Sequence, residues 1–361
     1  MHFSKSVRHG LGGSLRATAK FATLFAATVA ATFAVTSAHA ADPIPVRVGL
    51  ASASSDVGFF IAEKKGYFKE EGLDVSFVNF DSGAKMVAPL GAGQLEVGAG
   101  SPSAGLYNAV TRGIHIKIVA DKGSTPPGYG FQPLLVRKDL VESGRYKSLK
   151  DLKGMKIAGS APGSGSTSTL NEALKKGGLK YSDVDRVFLG FPQHVAALQN
   201  KAVDASMTTE PSATKAIQSG AAVRVMGDDE IYPNHQLAVV LYSDDFIKKN
   251  PDAAKRFMRA YLRAVRVYND ALKDGHIAGP GADEVINILT EYTNVKDPAI
   301  YRAINVQACN PNGAVDIPSL KNDLVFFKEQ GEVKGAVTVD DVLDNSFAAA
   351  AVKDLGVYKK K

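Results

Sequence analysis

Hydrophobic and polar positions alternate in short blocks along most of the chain. Val46-Arg47-Val48-Gly49-Leu50 and Leu73-Asp74-Val75-Ser76-Phe77-Val78 switch side at every residue, the period of a strand with one buried face. Between them Val57 to Lys65 has helical spacing and stops at Gly66. The pattern then predicts a helix over Ala84–Leu90, a strand at Val97–Ala99, a helix over Ser103–Thr111 and a strand over Ile116–Ala120. A second series opens near Leu149: strand Lys156–Ala158, helix Thr167–Lys176, strand Arg186–Phe191, helix His194–Gln199, strand Ala205–Thr208, helix Ser212–Gln218 and strand Val223–Met226. Strands and helices joined by short glycine-rich links are the pattern of a parallel-type α/β sheet. Beyond Asp244 the period is mostly helical. The longest helix runs from Pro251 to Leu272, and others lie near Ala282–Glu291, Ile317–Glu329 and Asp340–Lys353.

The two series match each other. Leu90 to Val97 aligns with Leu198 to Ala205, Pro102-Ser103-Ala104 with Pro211-Ser212-Ala213, and Gly113 to Asp121 with Gly220 to Asp228, at an offset of about 108 residues. That spacing exceeds any solenoid repeat and predicts two topologically similar lobes.

The first residues change the charge picture. Lys5, Arg8, Arg16 and Lys20 precede an Ala-rich apolar run from Phe21 to Val35, which ends in Ala38-His39-Ala40. This is the order of a secretory signal peptide over residues 1–40, too short and too rich in Ala and Thr for a membrane span. Removing those four bases lowers the formal net charge from +6 to +2. The scattered Lys and Arg that remain, with the tail Lys359-Lys360-Lys361, lack the dense basic stripe of a nucleic-acid binder. The single cysteine, Cys309, excludes an internal disulfide framework and a multi-cysteine zinc site, and it reads as an inert helix-end thiol.

In open α/β sheets ligands bind beyond the carboxyl ends of the strands. Here those ends carry short polar loops: Ser52 to Ser55, Asp81-Ser82-Gly83, Gly100 to Ser103, Asp121-Lys122-Gly123, Ser160 to Thr167, Pro192-Gln193 and Thr209-Glu210-Pro211. Most run directly into a helix, whose free N–H groups can hold an oxyanion; each hydroxyl is equally able to serve as a plain helix cap. The Gly163–Thr167 loop lacks the lysine of a nucleotide P-loop, and Ser168 stands where a dinucleotide fingerprint needs Gly or Ala. Neither a Gly-x-Ser-x-Gly elbow nor a His-Glu-x-x-His helix is present, and His115, His194, His235 and His276 are scattered. No catalytic residue, metal ligand or cofactor is therefore expected.

The stretch Phe59-Phe60-Ile61-Ala62-Glu63-Lys64-Lys65-Gly66-Tyr67-Phe68-Lys69-Glu70-Glu71-Gly72-Leu73-Asp74-Val75, behind the strand Val46–Leu50, resembles the start of the substrate-binding proteins of nitrate/sulfonate/taurine-type ATP-binding-cassette (ABC) importers. Leu149 to Ala158, Asn250-Pro251 and Asp344-Asn345-Ser346-Phe347 resemble the same family. The resemblance implies an α/β bilobal periplasmic-binding-protein fold of type II, two similar lobes about a central cleft. Lobe 1 would comprise residues 42–133 and 241–361, lobe 2 residues 134–240, with hinge strands near 132–136 and 236–240. It further implies a periplasmic monomer that binds a small organic molecule, with an oxyanion such as a sulfonate or carboxylate foremost. That molecule would be delivered to a permease and its ATPase in the inner membrane. Carried onto this chain, the pocket would draw on Ser52, Ser54, Phe59, Ser82, Gly83, Ser101, Ser103, Lys122, Ser164, Ser166, Thr167, Gln193 and Glu210. Phe59 would meet an apolar part of the ligand, or be plain core. Lys122 would be the cation at the cleft, and Glu210 would suit a ligand with a donor group. Two alternatives share the fold: a thiamine-pyrimidine-synthesis enzyme, whose cysteine-rich motif is missing here, and a sensor coupled to a membrane receptor.

Overall fold

The alternating segments become strands because each has one face to bury. Val46, Val48 and Leu50 are fully enclosed while Arg47 points outward to Glu96, 2.6 Å away. The computed structural model describes residues 42–360. The leader expected for residues 1–40 lies outside the described residues.

Two five-stranded sheets organise the chain. The first has the order β2-β1-β3-β10-β4, with β1 Ile44–Leu50, β2 Leu73–Asn79, β3 Val97–Gly100, β4 Ile116–Gly123 and β10 Ala238–Ser243. The second has the order β7-β6-β8-β5-β9, with β5 Leu134–Arg137, β6 Lys156–Gly159, β7 Asp185–Phe188, β8 Ala205–Met207 and β9 Ala222–Met226. The orders coincide position by position, so the 108-residue offset read from sequence corresponds to two copies of one topology.

The sheets are mixed, not parallel throughout. β10 runs antiparallel to β3 and β4, and β5 antiparallel to β8 and β9. The reason is the route of the chain. β5 enters the second sheet directly after the first series and β10 returns to the first sheet after the second, so neither arrives through the helical crossover that a parallel neighbour requires.

Three boundaries differ from the pattern. β7 ends at Phe188 and a helix spans Phe191–Gln199, because Gly190 and Pro192 set the helix start ahead of His194. The last helix is Ser346–Leu355; the Val339–Asp344 stretch before it is tied to β4 by a bond from Ile118 N–H to the Val342 carbonyl at 2.6 Å. Cys309 lies outside any helix, five residues beyond the nearest helix cap at Ile304.

Helix Pro251–Asp270 buries one face against Val57–Lys64, where Phe59 stacks on Tyr261 with ring centroids 4.8 Å apart. Helix Ile317–Glu329 packs instead on the second sheet's side, with Phe326 edge-on to Tyr181 at 5.1 Å. The chain then returns to the first, where the Asn108 side-chain amide donates to the Glu332 carbonyl at 2.7 Å. These elements bring the carboxyl ends of β1, β3, β6 and β8 to a common seam.

Candidate functional site

The turn after β1 is built around a buried carboxylate. Asp56 accepts from the Ala53 N–H through Oδ2 at 2.9 Å and sets its Oδ1 2.7 Å from the Lys122 ammonium, with both side chains 1 % exposed. Lys122, on β4, donates to Ser55 Oγ at 2.8 Å. The lysine that sequence placed at the cleft does reach it, with its charge already matched.

Beside this pair, Ser82 holds the N-cap position of helix Gly83–Gly91 without a capping bond from its hydroxyl. That helix comes so close to β3 that a side chain on Gly83 would meet the Ser101 backbone at 2.7 Å, and one on Gly100 would meet Gly83 Cα at 2.6 Å. In the second lobe the loop after β6 forms a hydroxyl cluster. Ser166 Oγ lies 3.0 Å from both Ser160 Oγ and Ser164 Oγ, and Thr167 Oγ1 accepts from Ser164 N–H at 3.1 Å.

Backbone and hydroxyl groups close the seam between the lobes. Ser54 N–H donates to the Glu210 carbonyl at 2.9 Å, and Ala104 N–H to the Gly163 carbonyl at 2.8 Å. Gly165 N–H donates to Ser101 Oγ at 2.7 Å, and Ser103 and Ser164 form an isolated bridge.

Two cavities lie along this seam. The inner one, about 30 Å³, is lined from both lobes and holds predicted residues Ser82, Gly83, Ser101, Lys122 and Ser166. Its walls add Thr209, from a strand-end loop read in the sequence, and Phe131, Gln132, Phe191 and Leu237, which sequence reasoning missed. Gln132 and Leu237 sit on the two chain crossings, a topological position without a periodic signature; only the loop end of β7 pointed toward Phe191. Ser82 Oγ and Gln132 Oε1 are buried and find no hydrogen-bond partner among the described residues. The outer cavity, about 340 Å³, holds Ser52 and Ser54 and is walled by Phe60, Val195, Pro211 and Tyr292.

The other predicted residues are placed elsewhere. Phe59 is fully buried in the core, its ring against Tyr261 and Phe257. Ser103 caps helix Ala104–Val110 and Gln193 accepts from Gly190 N–H at 2.7 Å. Glu210 caps the next helix through the N–H and hydroxyl of Thr214, at 2.9 and 3.0 Å; burial raises its carboxyl to about 7.

Cys309, His194 and His235 are each committed to neighbours. Cys309 is buried among Tyr261 and Asp121, and desolvation raises its thiol well above the ordinary range. His194 has both ring nitrogens occupied, by Thr208 and the Leu189 carbonyl, and burial lowers it to about 4. His235 is likewise held, between Thr169 at 3.1 Å and Asp323 at 2.8 Å.

Residues 54–273, from the β1 turn to the end of the long helix, match the family model described as NMT1/THI5 like. The chain belongs to this NMT1/THI5-like family. Among its relatives is a Brucella abortus (strain 2308) protein named as a binding protein, 30 % identical over 239 residues, 65 % of this chain and 70 % of the relative. A Bacillus subtilis (strain 168) protein named for binding aliphatic sulfonates is 26 % identical over 318 residues, 86 % and 88 % of the two chains. The periplasmic nitrate-binding protein of Synechocystis PCC 6803 has the same fold, with a TM-score of 0.72 at 16 % identity over 87 % of this chain and 89 % of that one. The NMT1/THI5-like chain thus has the bilobal fold of periplasmic binding proteins.

Proposed function

We propose that the chain is a periplasmic solute-binding protein that encloses a small organic molecule between its lobes and presents the closed form to an ABC permease. One observation carries this reading. The carboxyl ends of two equivalent sheets meet around a cavity whose Ser82 Oγ and Gln132 Oε1 are buried and unpaired. A buried polar atom without a partner costs roughly 1–3 kcal/mol, which a solute's own polar groups recover. A solute touching both lobes favours the closed state by its differential affinity for that state. The lobes in this reading are residues 42–133 with 241–361, and 134–240, turning about the crossings near 132–136 and 236–240.

The sulfonate-binding name of the Bacillus subtilis relative makes an organic sulfonate the first solute to try. Delivery to a membrane importer fits the expected secretory leader. No helix among the described residues is long and apolar enough to cross a membrane. The engaged histidines and the buried thiol weigh against the related pyrimidine-synthesis chemistry, since a catalytic group needs a free lone pair or ionisable atom at the site.

The test is thermal unfolding of the purified protein against sulfonates, carboxylates, nitrate and uncharged organic solutes. A solute at 100 times its Kd stabilises the folded state by about 2.7 kcal/mol. One compound with a saturable shift and no turnover establishes the reading. Product formation, or silence across the panel, defeats it.

A further inference from the structure

The inner cavity has an unusual charge balance for a site expected to take an oxyanion. Lys122 is the one charged residue among its described lining residues. Its ammonium is matched at 2.7 Å by the equally buried Asp56 and bonded to Ser55. Outside the lining lie three further buried carboxyl groups, with Arg224 acting on two of them. Asp121 precedes Lys122, Glu210 follows the lining residue Thr209, and Asp228, fully buried, faces the backbone of Gln132. An anion enclosed here would meet no uncommitted cation among the lining residues, and burying an unmatched charge is costly.

The neutral groups describe a different guest. Gln132 Oε1 is an acceptor awaiting a donor, Ser82 Oγ can donate or accept, and Phe131, Phe191, Leu237 and Ala238 form apolar walls. We infer that the part of the solute enclosed in the inner cavity carries no net charge and presents both a donor and an acceptor, as a carboxamide or urea group does, the donor to Gln132 and the acceptor to Ser82. The inference rests on the solute-binding reading and fixes the class of group that the inner seat selects. Any charge on the solute then lies outward, in the larger chamber beyond Ser54 and Glu210, where Lys215 stands at the wall.

The experiment measures binding of shape-matched pairs that differ in charge to the purified protein by calorimetry and thermal unfolding at constant ionic strength. The pairs are acetate and acetamide, benzoate and benzamide, methanesulfonate and methanesulfonamide. The uncharged member of at least one pair should bind wild type at least tenfold more tightly than its anion, and Gln132→Leu should weaken it at least tenfold. Asp56→Asn releases the Lys122 charge and should turn the preference toward the anions; if that variant does not fold, the wild-type and Gln132→Leu comparison decides alone. An anion that binds wild type more tightly than its uncharged partner, and is weakened by Ser82→Ala, overturns the inference while leaving solute binding intact. Silence of every pair alongside a saturable shift from another solute of the wider panel overturns the inference alone, and silence across pairs and panel removes both.

Discussion

Ser54 N–H donates to the carbonyl of Glu210 across the seam, at 2.9 Å, and the Glu210 side chain turns away to cap helix Ser212–Gln218. One residue therefore bonds the opposite lobe through its backbone and its own helix through its carboxyl. Glu210 is buried, and desolvation raises the carboxyl to about 7.

The pH dependence of stability follows from that residue and three others. Burial raises Asp228 to about 7 and Asp121 to about 6, both from below 4, and lowers His194 to about 4. A carboxyl raised on folding binds its proton more tightly in the folded state, so its contribution is full below the ordinary carboxyl range and is lost as pH rises toward 7. His194 works the other way, gaining between about 4 and 6.5. Above pH 6.5 only the carboxyls remain in play. The unfolding midpoint should fall from pH 6 to 8, and Glu210→Gln should flatten the fall. Midpoints of both proteins from pH 5 to 8 check this; a difference between them that does not move with pH contradicts it.

Lys122 and Asp56 form a pair neither partner can leave. Removing one stranded partner of a buried pair costs roughly 3–5 kcal/mol, far more than an exposed pair is worth. Lys122→Met and Asp56→Ala should each lower stability by that order, and the double variant should cost clearly less than the two together. Urea unfolding of the four proteins closes the cycle. Additive losses would mean that the two groups are stabilised independently.

Phe59 separates a core role from a ligand role. Its ring is sandwiched near Tyr261 and Phe257, away from both cavities. Phe59→Ala should cost about 3–5 kcal/mol from lost burial and the space left behind. The solute Kd of the folded fraction should not change. Calorimetry at a temperature well below the lowered midpoint measures it, and a weakened Kd there would return Phe59 to the site.

How much of this was legible beforehand divides along a physical line. Period gave the elements: β1, β2 and the helix from Pro251 lie where alternation and helical spacing put them, because both report a single buried face. The duplicated topology was legible too, since Pro102-Ser103-Ala104 and Pro211-Ser212-Ala213 recur in register. Strand direction was not, because β5 and β10 run antiparallel for a reason of chain routing that no local pattern contains. The site was half legible. Loop ends after strands gave Ser82, Ser101 and Ser166, whereas Gln132 and Leu237 reach the cavity only through the crossings. Lys122 lines the inner cavity, but its pairing with Asp56 was not legible, because Asp56 lies 66 positions away in sequence and nothing local ties the two together.

Ser101 should set the balance between open and closed lobes. Its Oγ accepts the Gly165 N–H, the first residue of helix Gly165–Lys176, while its own hydroxyl hydrogen goes to the Pro102 carbonyl at 3.0 Å. Ser101→Ala removes that acceptor, and opening lets the freed N–H reach water, so the change falls on the closed state. A typical hydrogen bond contributes about 1 kcal/mol net, roughly a fivefold change in the ratio of closed to open molecules. Because a solute that needs the closed form loses apparent affinity as that form is depopulated, Kd should rise by a factor of that order at most. Ser101 also lines the inner cavity, so a weaker Kd alone could reflect a lost contact with the solute. Small-angle scattering without solute removes that ambiguity, since no contact with a guest contributes to it. A larger radius of gyration in Ser101→Ala than in wild type identifies the seam bond as part of the closing energy. An unchanged radius with a weakened Kd assigns Ser101 to the solute instead.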